Sequence, residues 1–93
     1  MNKKVVLIVD DEPANINLVA EILHNLYEIR IATNGMTALS MIEKVKPDLI
    51  LLDINMPQMN GYEVASKLKS SEETTNIPFI FLTAKSDAQS IVE

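Results

Sequence analysis

The amino-acid sequence predicts an α/β fold in which a parallel β-sheet carries helices on both faces. Short runs of consecutive apolar residues, which are typical of strands buried on both faces, alternate along the chain with segments whose apolar residues recur at helical spacing. The resulting order of elements, β-α-β-α-β-α-β-α, is the pattern of parallel strands joined by helical crossovers. A chain of 93 residues provides for one small domain at most.

The first strand and the first helix lie within residues 5–26. The β-branched, apolar run from Val5 to Val9 favours a buried strand, and Pro13 suits the first turn of a helix. Helical spacing of apolar residues then predicts a helix over residues 14–26. The residues that set this spacing are Ile16, Val19, Ile22, Leu23 and Leu26.

A second strand and a second helix follow. Apolar and charged side chains alternate over residues 27–32, which indicates an edge strand with one solvated face. The pair Asn34 and Gly35 is typical of a turn, and Pro47 ends the helix after it. That helix is indicated by Ala38, Leu39, Ile42 and Val45.

The second half of the chain continues the alternation. A run of apolar residues predicts a central strand over residues 48–53, and a third helix is expected over residues 62–70. A fourth strand is predicted over residues 77–82. Ser86, with Gln89 three residues later, forms a capping box that would open a fourth helix.

The solvation of the strands predicts the strand order 2-1-3-4. The half-solvated strand belongs at an edge, and the strands 5–9 and 48–53, which are apolar on both faces, belong side by side. Crossovers between parallel strands are right-handed. The reversal after the second strand therefore places the first helix on one face of the sheet and the second and third helices on the other.

The composition excludes several classes of function. A net charge of -5 argues against direct contact with nucleic acid, and a chain without cysteine has neither disulfides nor thiolate metal ligands. The apolar run near the N-terminus is too short for a signal peptide, and no segment approaches the length of a membrane span. We therefore expect a cytoplasmic protein without membrane contact.

Three carboxylates are expected at one edge of the sheet. Asp10 and Asp11 follow the first strand and Asp53 ends the third, and neighbouring strands lie about 4.8 Å apart. Ligands of open parallel sheets bind at this edge. Carboxylates this close repel one another unless a cation is present, so we expect a Mg2+ site, and a carboxylate beside such a metal can attack a phosphoryl group. Thr83, which ends the fourth strand, could donate its hydroxyl to a phosphoryl oxygen.

Each of these residues also has a purely structural interpretation. The acidic residues 10–12, which precede Pro13, could cap the first helix and interact favourably with its dipole. Asp53 could be a turn residue, and Thr83 an ordinary strand residue. The functional interpretation is favoured because these groups fall at the same end of adjacent strands.

The motifs at the strand ends resemble those of the response-regulator receiver domain of two-component signalling. The resemblance covers residues 4–93. It depends on the acidic pair after the first strand, on the pattern Asp-x-x-Met-Pro-x-x-x-Gly from Asp53 to Gly61, and on the sequence Leu-Thr-Ala-Lys over residues 82–85. It implies a flavodoxin-like three-layer sandwich, a fold for which this strand order is already known.

The resemblance also implies a role for each residue of the site. Asp53 would accept a phosphoryl group from a histidine kinase or a phosphotransfer protein. Asp11, Asp53 and the main-chain carbonyl of Asn55 would hold Mg2+, with Asp10 acting through water, and Thr83 would be the switch hydroxyl. The domain would be a regulated switch rather than an enzyme, and would catalyse only its own phosphorylation and dephosphorylation.

The sequence departs from the family's pattern at its C-terminal end. It has no counterpart of the fifth strand, of the lysine at the end of that strand or of the fifth helix, and Lys85 is not that lysine because it follows the fourth strand. We therefore expect a C-terminally incomplete receiver domain over residues 1–93. The fourth strand, with Phe79 and Phe81, would be an exposed edge beside an incompletely covered sheet face, which favours association with a partner or with a second copy.

Two other functions remain open at this point. A receiver that docks to a kinase or to a sister domain without accepting phosphate would fit the missing lysine. A Mg2+-dependent phosphatase of the aspartyl-phosphate type would use the same carboxylates. Such enzymes tend to carry a second acid two residues after the nucleophile, where this chain has Asn55.

Overall fold

The computed structural model describes residues 3–82, which form four strands and three helices. In chain order these are β1 Val5–Val9, α1 Pro13–Leu23, β2 Glu28–Ala32, α2 Gly35–Val45, β3 Leu49–Asp53, α3 Gly61–Lys69 and β4 Phe79–Leu82. The helix predicted to begin at Ser86 lies outside the described residues. Within residues 3–82, no helix has the length and apolar character needed to cross a bilayer.

The sheet is parallel throughout and has the strand order β2-β1-β3-β4. The predicted flavodoxin-like α/β sandwich with the order 2-1-3-4 is thereby confirmed. β1 lies between β2 and β3, and its last residue, Val9, pairs with Ala32 on one side and with Leu52 on the other. The residues that follow β1 therefore lie next to the end of β3.

Alternate side chains of β1 and β3 enter two separate hydrophobic clusters. One cluster lies between the sheet and the helices α2 and α3, and its fully buried strand residues are Leu7, Val9, Ala32, Ile50 and Leu52. The other lies between the sheet and α1, and its buried residues are Val6, Ile8, Ile16 and Leu51. Because both faces of the two central strands are covered, nearly every position along them is apolar, as the sequence pattern predicted.

Helix α1 is shorter than predicted. It ends at Leu23 rather than at residue 26, because the amide groups of both Leu26 and Tyr27 donate hydrogen bonds to the Leu23 carbonyl and form a turn. Leu26, which was assigned to the helix by its spacing, consequently lies in this turn with 68% of its surface exposed. The helical spacing of apolar residues in the sequence therefore continues three residues beyond the end of the helix.

Helices α2 and α3 both begin at the glycine of an Asn-Gly pair. Asn34, predicted as part of a turn, instead caps α2, and its side chain accepts a hydrogen bond from the Thr37 amide at 2.8 Å. Asn60 and Glu63 form a reciprocal capping box at the start of α3, with both hydrogen bonds at 2.9 Å. Asparagine is favoured at N-caps as well as in turns, so the two interpretations compete at such a pair.

Strand β4 begins at Phe79 rather than at residue 77. The Ile77 amide donates to the Thr74 carbonyl at 3.0 Å and so belongs to the preceding turn, and Pro78 has no amide hydrogen to donate to the ladder. The carbonyl of Pro78 nevertheless accepts from the Ile50 amide at 3.1 Å. The hydrogen bonding between β4 and β3 therefore begins at Pro78, through its carbonyl group.

The exposed apolar side chain of β4 is Ile80 rather than either phenylalanine. Phe79 and Phe81 lie on the α3 side of the sheet, where they are half-buried. The centroids of the Phe81 and Tyr62 rings are 5.1 Å apart. Ile80 lies on the α1 side and is 54% exposed. Within the described residues α1 is the only helix on that side, and it packs against β1 and β2. Association through this face stays a prediction.

Thr74 forms a hydrogen bond with the C-terminal end of α3, and this bond should stabilise the protein. Its buried hydroxyl donates to the Leu68 carbonyl at 2.7 Å. Thr74→Val keeps the shape of the side chain but removes the donor, so we expect a loss of about 1 kcal/mol in the free energy of unfolding. Urea denaturation measures this loss, and Thr75→Val at the exposed neighbouring position is the control. Equal stability of the two variants would contradict a stabilising role for the hydrogen bond.

Candidate acidic site

The strand ends carry Asp10 and Asp53 to the same edge of the sheet. The Asp10 amide donates to the Ala32 carbonyl at 3.1 Å, which continues the pairing of β1 with β2 by one residue. Asp53 is the last residue of β3 and pairs with Leu82 of β4. The backbone of both residues is therefore fixed by the sheet, so the two carboxylates are held close to each other.

Three carboxylates form one cluster at this edge. A single oxygen from each of Asp10, Asp11 and Asp53 can be chosen so that all three atoms lie within 4.8 Å of one another. Asp10 is 2% exposed and Asp53 is 6% exposed, whereas Asp11 is exposed to solvent. The cluster therefore has two buried members and one at its entrance, and the structure brings together the three acidic residues that the sequence singled out.

Local hydrogen bonds orient the two buried carboxylates. Oδ1 of Asp10 accepts from the Glu12 amide at 2.9 Å, and Oδ1 of Asp53 accepts from the Asn55 amide at 3.3 Å. Helix α1, whose N-cap is Glu12, has no hydrogen bond from a capping side chain. Side-chain capping therefore does not account for the acidic residues that precede α1.

The electrostatics of the cluster favour a bound cation. Burial and, after it, the negative charge of Asp10 raise the pKa of the Asp53 carboxyl from an ordinary value of 3.8 to about 6. The hydrogen bond from the Asn55 amide lowers this pKa, and the charge of Asp11 adds a smaller rise. A hard cation bound between the carboxylates would offset the repulsion, and an all-oxygen donor set of this kind suits Mg2+.

The loop after β3 forms the rim of the site. Asn55, predicted as a metal ligand through its carbonyl, is an exposed residue in this loop, two positions after Asp53. Gln58 has a left-handed backbone conformation, with φ of 71°, and the loop closes where the Gly61 amide donates to the Ile54 carbonyl at 2.9 Å. Thr83, predicted as the switch hydroxyl, lies outside the described residues.

Two glycines have roles that the sequence did not indicate. A Cβ atom at Gly61 would lie 2.3 Å from the Asp53 carbonyl oxygen, so this position accepts no side chain without moving the backbone of the site. A Cβ atom at Gly35 would lie 2.8 Å from the sulfur of Met59. The sequence offered the repeated Asn-Gly pair, which by itself is also typical of a turn, and for Gly61 its place at the end of the pattern Asp-x-x-Met-Pro-x-x-x-Gly.

Comparison with known sequences identifies the family. The model of the response regulator receiver domain matches residues 6–93. Response regulator PleD of Caulobacter vibrioides is 44% identical over 80 residues, which amount to 85% of this chain and 18% of PleD. The chain spans between 6% and 19% of the length of the first three curated relatives it matches.

Two solved structures are similar in both fold and sequence. The phosphorylated cyanobacterial phytochrome response regulator RcpA is 31% identical with a TM-score of 0.85, over 97% of this chain and 71% of that one. The Mn2+-bound form of response regulator Rcp1 is 30% identical with a TM-score of 0.80, over 96% of this chain and 71% of that one. Together with the match over residues 6–93, these similarities establish that the chain belongs to the response regulator receiver domain family.

Proposed function

We propose that this chain is a phosphoacceptor switch in which Asp53 receives a phosphoryl group from a histidine kinase or a phosphotransfer protein. The observation that carries the proposal is the carboxylate cluster, in which Asp53 is buried beside Asp10 at the end of a central strand. Receiver domains are in general signalling modules of two-component systems, and the chain is a member of that family. We accordingly assign residues 1–93 to a receiver domain that acts in the cytoplasm.

The cluster fits the metal that receiver domains use. Asp10, Asp11 and Asp53 supply carboxylate oxygens, and the carbonyl of Asn55 would complete the protein's share of the ligands. Bound there, Mg2+ would neutralise the carboxylates and the incoming phosphoryl oxygens and so permit two anionic groups to approach each other. The donor set contains oxygen alone, which agrees with the lack of cysteine in the sequence.

The transfer itself requires a nucleophile that is ionised and correctly oriented. A carboxylate oxygen of Asp53 attacks phosphorus, the bond from phosphorus to the donor's histidine nitrogen breaks, and that nitrogen keeps the electron pair. The product is an acyl phosphate on Asp53. The Asn55 amide, which donates to Oδ1 of Asp53, fixes the orientation of the carboxylate, and we assign to Thr83 the hydroxyl that responds to the new phosphoryl group.

Two of the similar structures support the chemistry of this assignment. RcpA was crystallised in phosphorylated form and Rcp1 with bound Mn2+. Phosphorylation and divalent-metal binding are thus properties of proteins that share this fold at about 30% identity. PleD is much longer than this chain, and the region compared makes up 18% of its length.

The proposal predicts Mg2+-dependent phosphorylation at a single residue. Incubation with Mg2+ and acetyl phosphate should add one phosphoryl group per chain, as read by intact-mass spectrometry, and Asp53→Asn should abolish the gain. Asp48→Asn is the matched control, because Asp48 lies at the opposite end of β3 and its carboxylate accepts a hydrogen bond from the Val5 amide at 2.7 Å. An asparagine oxygen can still accept that bond, so the gain should persist.

The other outcomes of this experiment distinguish the remaining functions. A gain that survives Asp53→Asn would refute the assignment of the phosphoacceptor. A wild-type chain that gains nothing would favour the docking function, in which the domain binds a kinase or a sister domain without accepting phosphate. Sustained hydrolysis of phosphate esters would favour a phosphatase, for which Asn55 stands where a second acid is expected.

A further inference from the structure

The β3–α3 loop, which carries Asn55, contacts the start of helix α2. Met59, in the loop between β3 and α3, lies against Gly35, the first residue of α2. A Cβ atom at Gly35 would be 2.8 Å from the sulfur of Met59, 2.9 Å from its Cγ and 3.0 Å from its Cβ. The space that a larger residue at position 35 would need is therefore filled by the methionine side chain.

The loop is attached to the domain at several points. Met56, the residue after Asn55, is 7% exposed and packs within the hydrophobic cluster between the sheet and helices α2 and α3. The base of the loop is fixed by the hydrogen bond from the Gly61 amide to the Ile54 carbonyl, and its end is fixed by the capping box of Asn60. Between these points a tight turn forms, in which the Met59 amide donates to the Pro57 carbonyl at 2.7 Å. The half-buried Met59 side chain packs against the same hydrophobic cluster and so adds a second side-chain contact, after that of Met56, between the loop and the body of the domain.

Helix α2 provides a fixed partner for Met59. Its start is set by the cap from Asn34, and its side chains Ala38 and Ile42 are fully buried against the sheet. Glycine favours the helical conformation less than alanine does, although the penalty is measured in helix interiors and Gly35 is the first helical residue. The close approach of Met59 explains why a residue without a Cβ atom occupies position 35.

We propose that Met59 and Gly35 form a latch that holds the β3–α3 loop in place and thereby positions Asn55 beside Asp53. Met59 is then a positioning residue for the metal and phosphoryl site, which it does not touch. The expected effect on Mg2+ affinity rests on the proposed function. The contact between Met59 and Gly35 does not, and it can be tested separately.

A double-substitution cycle tests the contact. Gly35→Ala alone should lower the urea midpoint, because its methyl group would displace Met59. In the Met59→Ala background the same substitution should leave the midpoint unchanged or raise it, because the space is free and alanine favours the helix. A Gly35→Ala effect that is the same in both backgrounds would overturn the contact as a determinant of structure.

Two readouts test positioning as distinct from stability, both under conditions in which each variant is folded. Amide hydrogen exchange over residues 54–61 in Mg2+-free buffer should become about tenfold faster in Met59→Ala, and Mg2+ affinity should fall about tenfold, as for other supporting residues of metal sites. Met36→Ala is the control for the loss of a methionine side chain, since Met36 follows Gly35 and is 66% exposed. It should change neither readout.

The outcomes separate this inference from the proposed function. A Met59→Ala variant with unchanged loop exchange and unchanged Mg2+ affinity would overturn the latch, whatever its stability. A wild-type chain that binds no Mg2+ would count against the proposed function, and loop exchange would then decide the latch alone. Faster exchange in Met59→Ala, with Met36→Ala unaffected, would support it.

Discussion

Gly61→Ala is expected to lower the free energy of unfolding by about 3 kcal/mol, a large share of the total stability of a small domain. The new Cβ atom would lie 2.3 Å from the Asp53 carbonyl oxygen and 3.0 Å from both the Asp53 carbonyl carbon and the Ile54 Cα atom. All three atoms belong to the backbone, so no side chain can rotate away. Relief of the overlap requires movement of the backbone at Asp53 or of the start of α3.

The effect of Gly61→Ala should also reach the acidic site. A displaced backbone at Asp53 and Ile54 would move Asn55, so phosphorylation from acetyl phosphate should fall even in molecules that remain folded. Gly35→Ala is the matched control, because both glycines follow an asparagine cap and open a helix. At Gly35 the overlap involves the Met59 side chain, which can move, and the loss of stability should be smaller. A larger loss for Gly35→Ala would contradict this interpretation.

Asp53→Asn is expected to stabilise the Mg2+-free protein above pH 6. The pKa of Asp53 is raised from 3.8 to about 6 by burial and by the charge of Asp10. The native state consequently binds the proton more tightly than the unfolded state. Below pH 3.8 this group has no effect on the free energy of unfolding. The free energy of unfolding falls as the pH rises from 3.8 to about 6, and above pH 6 it is lowered by the full cost of burying the ionised carboxylate.

The size of this penalty follows from the pKa difference and is at most about 3 kcal/mol. Urea denaturation at pH 8 with a chelator present should show Asp53→Asn to be more stable than wild type by about 1 to 3 kcal/mol, and this difference should shrink as the pH is lowered below 6 and be lost below pH 3.8. Addition of Mg2+ should stabilise the wild type more than the variant. Glu72→Gln, at an exposed loop position, is the control for loss of one negative charge. Equal pH profiles for wild type and Asp53→Asn would contradict the assigned pKa.

The sequence predicted the parts of this structure that depend on hydrophobic pattern and on chain connectivity. The apolar runs of β1 and β3 identified the two central strands, and the alternation over residues 27–32 identified the edge strand. The rule of right-handed crossovers then placed α1 opposite α2 and α3. Because the strand order follows from these features, the meeting of Asp10, Asp11 and Asp53 at one edge followed as well.

The features that the sequence did not indicate depend on distances between backbone segments. Nothing in the Asn-Gly pairs distinguishes a turn from a capped helix that begins at glycine, since asparagine suits both. The close approach of Gly61 to the Asp53 carbonyl, and of Gly35 to Met59, exists only once the loops are folded. Similarly, β-strand periodicity alone did not determine that Ile80, rather than Phe79 or Phe81, would be the exposed side chain of β4.

The pairing of β1 with β3 makes the acidic cluster a reporter of strand register. Asp10 and Asp53 are distant in the sequence and meet only because Val9 pairs with Leu52. A slip of one residue would move Asp53 by about 3.3 Å and turn its side chain to the opposite face of the sheet. An ion that requires all three carboxylates would therefore bind only chains with the native alignment, so its binding stoichiometry measures the fraction of correctly aligned molecules in a preparation.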